Sequence, residues 1–457
     1  MIQYDAIVIG TGQAGPSMAT RLASSGLKTA IIESGKFGGT CVNNGCIPTK
    51  TMVASARAAH VARHAIEYGV VIEGSVVVDM KLVKARKDEI SAKSNNGVEQ
   101  WLKGTENLTV YLGKGKFESN NTVRVGDELL QADKIFINVG GHALVPDFSG
   151  LDNIDYLTNE NIMELDYLPE HLIIIGGSYI GLEFAQMYRR FGSKVTVIEK
   201  SATIIQREDE DVSNTILQVL EREGVEFRLN AECISPEKQG DEVVVKLDCE
   251  QGSREVRGSH LLLAVGRVPN TEDLGLEKTD IEIDARGYIK VDDQLQTTVP
   301  GVWALGDCNG QGAFTHTSYN DYEIVAANIL DNDPRKVSDR ILTYGLFVDP
   351  PLGRVGMTER QARESGRNVL IGQRPMTRIG RAVENGQTDG FMKILVDADS
   401  KEILGAAIIG LNGDEVIHSI IDIMYAKAPY TVIQRAVHIH PTVSELIPTM
   451  LGELKPL

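Results

Sequence analysis

"YDAIVIGTGQAG", residues 4–15, sets a short apolar run directly against a glycine-rich turn. Residues 4–9 read as a parallel strand covered on both faces, because such strands lose the apolar–polar alternation of half-exposed ones. Gly10, Gly12 and Gly15 follow, a helical pattern continues to about Ser25, and "KTAIIE" ends a second strand at Glu33. Strand, glycine turn, helix, strand, acid is the order that sets a pyrophosphate on a helix N-terminus. Gly10 permits the tight turn, Gly12 lets the backbone approach phosphate, Gly15 lets the helix pack on the strand, and Glu33 is placed for ribose hydroxyls. Pro16 is compatible with this, since the first helical turn has N–H groups to spare.

The same grammar returns at "HLIIIGGSYIGLEFAQMYRRFGSKVTVIEK", residues 171–200. Gly176 precedes Glu199 by the same number of positions as Gly10 precedes Glu33, so the two units share a register. Ser178 stands where the middle glycine is expected, and its side chain should hold a pyrophosphate farther off. The intact first site suits a resident FAD, and the altered second site suits an exchanging NAD(P)H. Glu199 would repel a 2′-phosphate and favours NADH, although Lys200 and Arg207 follow closely. "ADKIFINVGG" (132–141) and "SHLLLAVGRVPN" (259–270) are strands ending in glycine that would close the first and second units. "TTVPGVWALGDCNG" (297–310) runs a strand into Asp307, at the end of a sheet where ligands bind.

A chain of 457 residues exceeds one core and predicts several domains. "VPDFSGL" (145–151) and "VPNTEDLGL" (268–276) read as linkers, and after about Asp339 the pattern changes to paired strands, "KILVDADSKEILGAAIIG" (393–410), followed by helices. The formal charge of −17 argues against phosphate-backbone binding, so nucleic acid is excluded as a partner. The N-terminus lacks the features of a secretory signal, and no apolar run approaches the ~20 residues that span a bilayer. The expectation is a cytoplasmic protein with no membrane association.

In a reducing cytoplasm five cysteines do not suggest a structural disulfide framework. Two of them, Cys41 and Cys46 in "FGGTCVNNGCIPTK" (37–50), lie five positions apart. Structural zinc needs four ligands at short spacings, and no second pair is nearby, so no metal is expected. Two thiols on a bent segment can instead form a disulfide that carries two electrons. Gly38 and Gly39 allow close backbone approach, Pro48 discourages a regular helix, and Lys50 follows Cys46 by one helical turn to stabilise a thiolate. Cys233, Cys249 and Cys308 lack partner spacing and read as inert.

"GGTCVNNGCIPTK", "SYIGLEF", "AVGRVPN", "WALGDC" and "HIHPTVSE" occur in an order that resembles the class I pyridine nucleotide-disulfide oxidoreductases along essentially the whole chain. "PPLGRVGMTE" (350–359) and "RAVENGQTDGFMKILVDADS" (381–400) are most similar to mercuric-reductase-like and hypothiocyanous-acid-reductase-like members. The resemblance implies an α/β fold: an FAD domain (1–148 and 270–338) interrupted by an NAD(P) domain (149–269), both Rossmann-like, then an α+β dimerisation domain (339–457). It implies an obligate homodimer whose active sites are completed across the interface.

The resemblance also implies roles. Cys41 would attack the substrate and Cys46 would contact the flavin. Lys50 would pair with Glu183 beside the flavin, Tyr179 would cover the flavin until nicotinamide arrives, and Asp307 would meet the ribityl chain. Gly39, Thr40, Gly115, Gly140, Ala313, Ile180 and Gly266 complete the implied cofactor contacts. His440 would protonate the released thiolate, oriented by Glu445 and reaching Cys41 of the other subunit. The competing account of Glu445 is a T-x-x-E capping box begun at Thr442, opening the next helix.

The expected activity is transfer of electrons from NADH through FAD and the Cys41–Cys46 disulfide to a small thiol, disulfide or oxidised-sulfur substrate. Dihydrolipoamide dehydrogenase and mercuric-reductase-like chemistry are alternatives. The second is disfavoured because no cysteine follows Cys308 and the chain starts at the flavin unit without a metal-binding domain. A glutathione-reductase-like enzyme is least favoured, because no cluster of arginines for a tripeptide carboxylate stands out in the chain. From another class, a flavin transhydrogenase or NADH oxidase would need neither the cysteine pair nor the His–Glu pair.

Overall fold

A computed structural model of the chain describes residues 1–248 and 253–457. Cys249 lies outside the described residues, as does the side chain of Cys233. The strand Ala6–Ile9 occupies the centre of a five-stranded parallel sheet in the order Val302–Ala304, Lys134–Ile137, Ala6–Ile9, Thr29–Glu33, Leu108–Leu112. All four of its residues are buried, which is why the run is unbroken by polar side chains. Helix Gly15–Ser24 follows the turn and buries Met18, Ala19 and Leu22 against this sheet.

His171–Ile175 repeats the arrangement at the centre of a second five-stranded parallel sheet, ordered Tyr156–Leu157, His260–Leu263, His171–Ile175, Lys194–Ile198, Val225–Arg228. The Gly10 N–H donates to Ile32 O at 2.8 Å, and the Gly176 N–H donates to Ile198 O at 2.9 Å, closing the two turns alike. Each parallel sheet is joined by an antiparallel excursion whose strands fall within residues 115–131 in the first case and 232–258 in the second. The third region is a six-stranded antiparallel sheet, ordered Thr343–Leu346, Leu352–Gly356, Ile403–Ile409, Phe391–Asp397, Val369–Pro375, Lys455–Pro456. The fold is therefore two parallel α/β units with a C-terminal α+β region.

One apolar core ties these parts together at the site. Met52 and Ala56 of helix Cys46–Arg63 pack with Leu182, Phe184 and Tyr188 of helix Tyr179–Phe191, and with Leu346, Val348 and Leu352 of the third region. Beside it, Arg190 forks onto Glu223 at 2.7 and 2.8 Å and reaches Asp349 at 2.7 Å, joining the second unit to the third region through a buried guanidinium. The cysteine segment is thus clamped between two elements distant from it in sequence. Among the described residues, no helix is long and apolar enough to cross a membrane.

Candidate active site

The two glycine turns face one continuous cleft of about 2090 Å³. Gly10 has φ +100°, and a Cβ on it would stand 2.3 Å from Asn138 O. A Cβ on Gly12 would meet Asn138 Oδ1 at 2.7 Å, and one on Gly15 would meet Gly10 O at 2.2 Å. A side chain at Gly10 or Gly15 would displace backbone, and one at Gly12 would displace the Asn138 side chain. Asn138 locks the turn, its Oδ1 accepting from Gly15 N–H at 2.9 Å and its Nδ2 donating to Leu305 O at 2.8 Å. Glu33 accepts from the Thr11 and Gly35 N–H groups at 3.0 and 2.7 Å.

The second turn copies this plan. Gly176 has φ +115° with a Cβ position 2.4 Å from Ala264 O, and Gly181 would meet Gly176 O at 2.0 Å. Glu199 accepts from Gly177 and Ser201 N–H at 2.8 and 2.9 Å, the counterparts of Thr11 and Gly35. The departure at Ser178 now has a physical reason. Asn138 of the first unit is matched by Ala264 in the second, so the side chain that would collide with a residue at the Gly12 position is missing there. Both cradles, with helix N-termini behind them, fit a dinucleotide.

Between the cradles lies the cysteine pair. Cys41 belongs to the short helix Gly39–Asn43, and Cys46 opens helix Cys46–Arg63, with Asn44 and Gly45 making the break. Pro48 does not prevent this helix, contrary to the sequence expectation, because it sits in the first turn, where no backbone donor is lost. The two thiols are free, and hydrogen bonding between them is the largest influence on the charge of each. That bond, with Thr315 Oγ1 3.0 Å from Cys46 Sγ and Lys50 nearby, outweighs burial and brings Cys46 down to about 6. Cys41 is pushed up by the same hydrogen bond and by burial. The pair is thus polarised into a thiolate at Cys46 and a thiol at Cys41.

Lys50 Nζ lies 2.6 Å from Glu183 Oε2 and 4.6 Å from the centre of the Phe347 ring. Glu183 Oε1 accepts from Phe347 N–H at 3.0 Å, so the third region fixes the carboxylate that fixes the lysine. Tyr179, the first residue of helix Tyr179–Phe191, meets Tyr344 and Phe314 edge-on at 5.6 and 6.4 Å, with the Arg207 guanidinium 5.5 Å above its ring. Asp307 lines the cleft beside Arg267 Nε at 3.5 Å, and burial raises its carboxyl.

Every cofactor contact expected from the sequence lines this cleft except Gly15, which packs behind the turn. Cys41 and Cys46 line it too; His440 and Glu445 do not. His440 is 80% exposed and its Nδ1 lies 3.0 Å from both Glu445 oxygens. Thr442 Oγ1 accepts from Glu445 N–H at 3.2 Å, which is half of the capping box. The Glu445 carboxylate bonds His440, and the element that starts at Ser444 is a 3₁₀ turn leading into helix Ile447–Leu451. Cys308 is buried with its thiol on Ile137 O and Leu305 O and pushed up to about 12, remote in chemistry from the pair.

Asn138, Thr315, Phe347 and Tyr344 are contacts that sequence reading misses. Asn138 had a signal, its place before the glycines of "NVGG"; the other three had none, since each comes from a distant segment. The acids Asp209, Asp211 and Glu359 form the one cation-sized cluster found among the described residues. Lys393 Nζ sits within it at 3.1, 2.7 and 2.7 Å, so an ammonium group already takes the place of an ion.

Comparison with known proteins agrees with this geometry. The profile of the family described as "Pyridine nucleotide-disulphide oxidoreductase" matches residues 4–321, and that of its dimerisation domain matches residues 343–451. The probable pyridine nucleotide-disulfide oxidoreductase RclA of Escherichia coli is 35% identical over 463 residues, covering all of both chains. A dihydrolipoyl dehydrogenase of Haloferax volcanii is 31% identical, covering 96% of this chain and 94% of that one. The solved structure of RclA, described as an HOCl-induced flavoprotein disulfide reductase from E. coli, superposes with a TM-score of 0.90 at 35% identity, covering 99% of this chain and 100% of that one. Two nucleotide cradles, a dithiol between them and matches along the whole chain have one reading: the protein belongs to the pyridine nucleotide-disulphide oxidoreductase family and is an FAD-dependent enzyme that uses NAD(P)H.

Proposed function

We propose that the enzyme takes electrons from NADH and delivers them through Cys41 and Cys46 to a small disulfide or oxidised-sulfur compound. The observation that carries this reading is the Cys41–Cys46 pair in the cleft shared by the two cradles, with the Lys50–Glu183 ion pair lining the same cleft. RclA, described as a disulfide reductase, supports the acceptor class. Residues 1–148 and 270–338 would hold FAD, 149–269 would hold NAD(P)H, and 339–457 would form the interface of a cytoplasmic homodimer.

Bound FAD supplies the two-electron link between NAD(P)H and a disulfide. The chain's own residues do the rest. Gly10, Gly12 and the N-terminus of helix Gly15–Ser24 would receive the pyrophosphate, and Glu33 would orient the ribose. Gly176, Ser178 and Glu199 would do the same at the second cradle. There Glu199 would set the preference for NADH, with Lys200 and Arg207 also lining the cleft. Cys46, drawn toward the thiolate by Cys41, Thr315 and Lys50, would be the sulfur next to a bound flavin. Cys41 keeps its proton until a base removes it, and His440 from the partner subunit, oriented by Glu445, is that base. The Cys41 sulfur then attacks the substrate sulfur, the substrate's S–S or S–X bond breaks, and His440 returns the proton to the leaving group. Attack by Cys46 on the mixed disulfide releases the second product and restores the Cys41–Cys46 disulfide, with two electrons transferred.

The deciding experiment is anaerobic turnover of the purified enzyme with NADH and NADPH against lipoamide, glutathione disulfide, hypothiocyanite and mercuric ion. NADH-dependent reduction of a sulfur acceptor that disappears in Cys41→Ser is expected. Full turnover by Cys41→Ser with every acceptor would instead establish a flavin oxidase or transhydrogenase that bypasses the cysteines.

A further inference from the structure

Behind Tyr179 lies a buried polar cluster that the reaction above does not use. Glu208 is 8% exposed, and its Oε1 accepts from the Tyr344 hydroxyl. Its Oε2 is buried with no hydrogen-bond partner among the described residues, and the nearest cation, Arg354 Nη1, is 3.8 Å away. Arg354, 1% exposed, spends Nη1 on Asp209 at 3.2 Å. The Tyr179 hydroxyl is likewise buried without a partner, although Tyr344 and Glu208 are its polar neighbours. An unpaired donor and a carboxylate with an unpaired oxygen therefore both neighbour the Tyr344 hydroxyl. The Tyr179 ring is held by edge contacts to Phe314 and Tyr344 and by Arg207, not by its hydroxyl. Buried polar groups left unpaired are costly, so a conformation that pairs them is favoured once the ring is moved.

We propose that Glu208 is a positioning residue for nicotinamide entry: when the nicotinamide ring displaces Tyr179, the tyrosine hydroxyl donates to Glu208 Oε2. Two groups unpaired in the closed position become paired in the open one, which offsets the aromatic contacts that opening gives up. Tyr344 keeps Glu208 in place by occupying its other oxygen, and Arg354 with Asp209 fixes the side of the cluster facing the third region. The proposal rests on the reading of Tyr179 as the cover of the flavin.

The test is calorimetric binding to the FAD-loaded enzyme of NAD⁺ and of ADP-ribose, which fills the adenine half of the site without displacing Tyr179. Tyr179→Phe and Glu208→Gln should each weaken NAD⁺ about 5-fold, the scale of one net hydrogen bond, and leave ADP-ribose unchanged. The double variant should be no weaker than Tyr179→Phe alone, because both remove the same bond. Unchanged NAD⁺ binding by Tyr179→Phe, or additive losses in the double variant, would overturn the proposal. Equal loss of ADP-ribose binding would reduce Glu208 to a structural role. Tyr179→Ala separates the two levels: if removing the whole ring leaves NAD⁺ binding unaltered, the flavin-cover reading fails. If it changes NAD⁺ binding while Tyr179→Phe does not, only the pairing with Glu208 fails.

Discussion

Cys46 gathers the electrostatics of the site on one sulfur. Its value of about 6 lies below the thiol reference of 9.0, so the thiolate is the native form of the reduced pair above pH ~6. The stabilisation this lends the reduced enzyme is complete above pH 9 and is lost as the pH falls through 6. Alkylation of the reduced protein should follow the same titration. The hydrogen bond from Cys41 is the largest contribution, ahead of Thr315 and then Lys50. Cys41→Ala should therefore raise the midpoint most, Thr315→Val less and Lys50→Met least, read as alkylation rate against pH. A larger effect from Lys50→Met would make charge, not hydrogen bonding, the controlling factor. For His440, removal should slow thiol–disulfide exchange ~10²-fold or more while leaving NADH-driven flavin reduction nearly intact, as stopped-flow of the two half-reactions would show. Of these residues, Cys41, Cys46 and Lys50 stand out in the sequence by type and spacing, whereas His440 stands out only through the resemblance of "HIHPTVSE" to a family motif. Thr315 does not, because a threonine 269 positions from Cys46 reaches it only after the chain folds.

At the scale of elements, the two strand–turn–helix units permit a paired experiment. An alanine at Gly10 must adopt φ near +100° with its Cβ against Asn138 O, and one at Gly176 meets Ala264 O in the same way. Each backbone conformation alone costs ~1–3 kcal/mol for a residue with a side chain, before the clash is counted. Gly10→Ala should lose flavin on purification, whereas Gly176→Ala should retain flavin absorbance and lose reduction by NADH. Flavin loss from both would show that the units fold as one and do not hold separate ligands. The helices were readable from their glycine starts, but the helix beginning at Cys46 was not. A proline three residues in reads as a breaker until its place in the first turn is known. The split of Glu445 between cap and histidine partner was equally undecided in the sequence, since T-x-x-E describes both. The backbone geometry that brings His440 within 3.0 Å resolves it.

At the scale of the whole molecule, His440 stands away from the cleft that contains the cysteines, on a segment where Val437 is fully exposed and Ile439 is 80% exposed. Large apolar groups so exposed beside a polar pair suit burial against a second copy. Sedimentation should give twice the chain mass of 49.9 kDa. Val437→Asp with Ile439→Asp should give monomers that retain NADH-driven flavin reduction and lose disulfide turnover. Monomers that keep full disulfide turnover would place the acid–base group within one chain.

The sequence by itself determined the two nucleotide cradles, the parallel sheets that carry them and the dithiol. Their physics is local: a glycine at a forbidden backbone angle, an apolar strand, two sulfurs five positions apart. Only the tertiary structure decided what acts on those sulfurs and rings. Phe347 fixing Glu183, Thr315 on Cys46, Asn138 beneath Gly12 and Tyr344 on Glu208 are contacts between residues far apart in the chain. No periodicity encodes such contacts, because they exist only where separately folded surfaces meet.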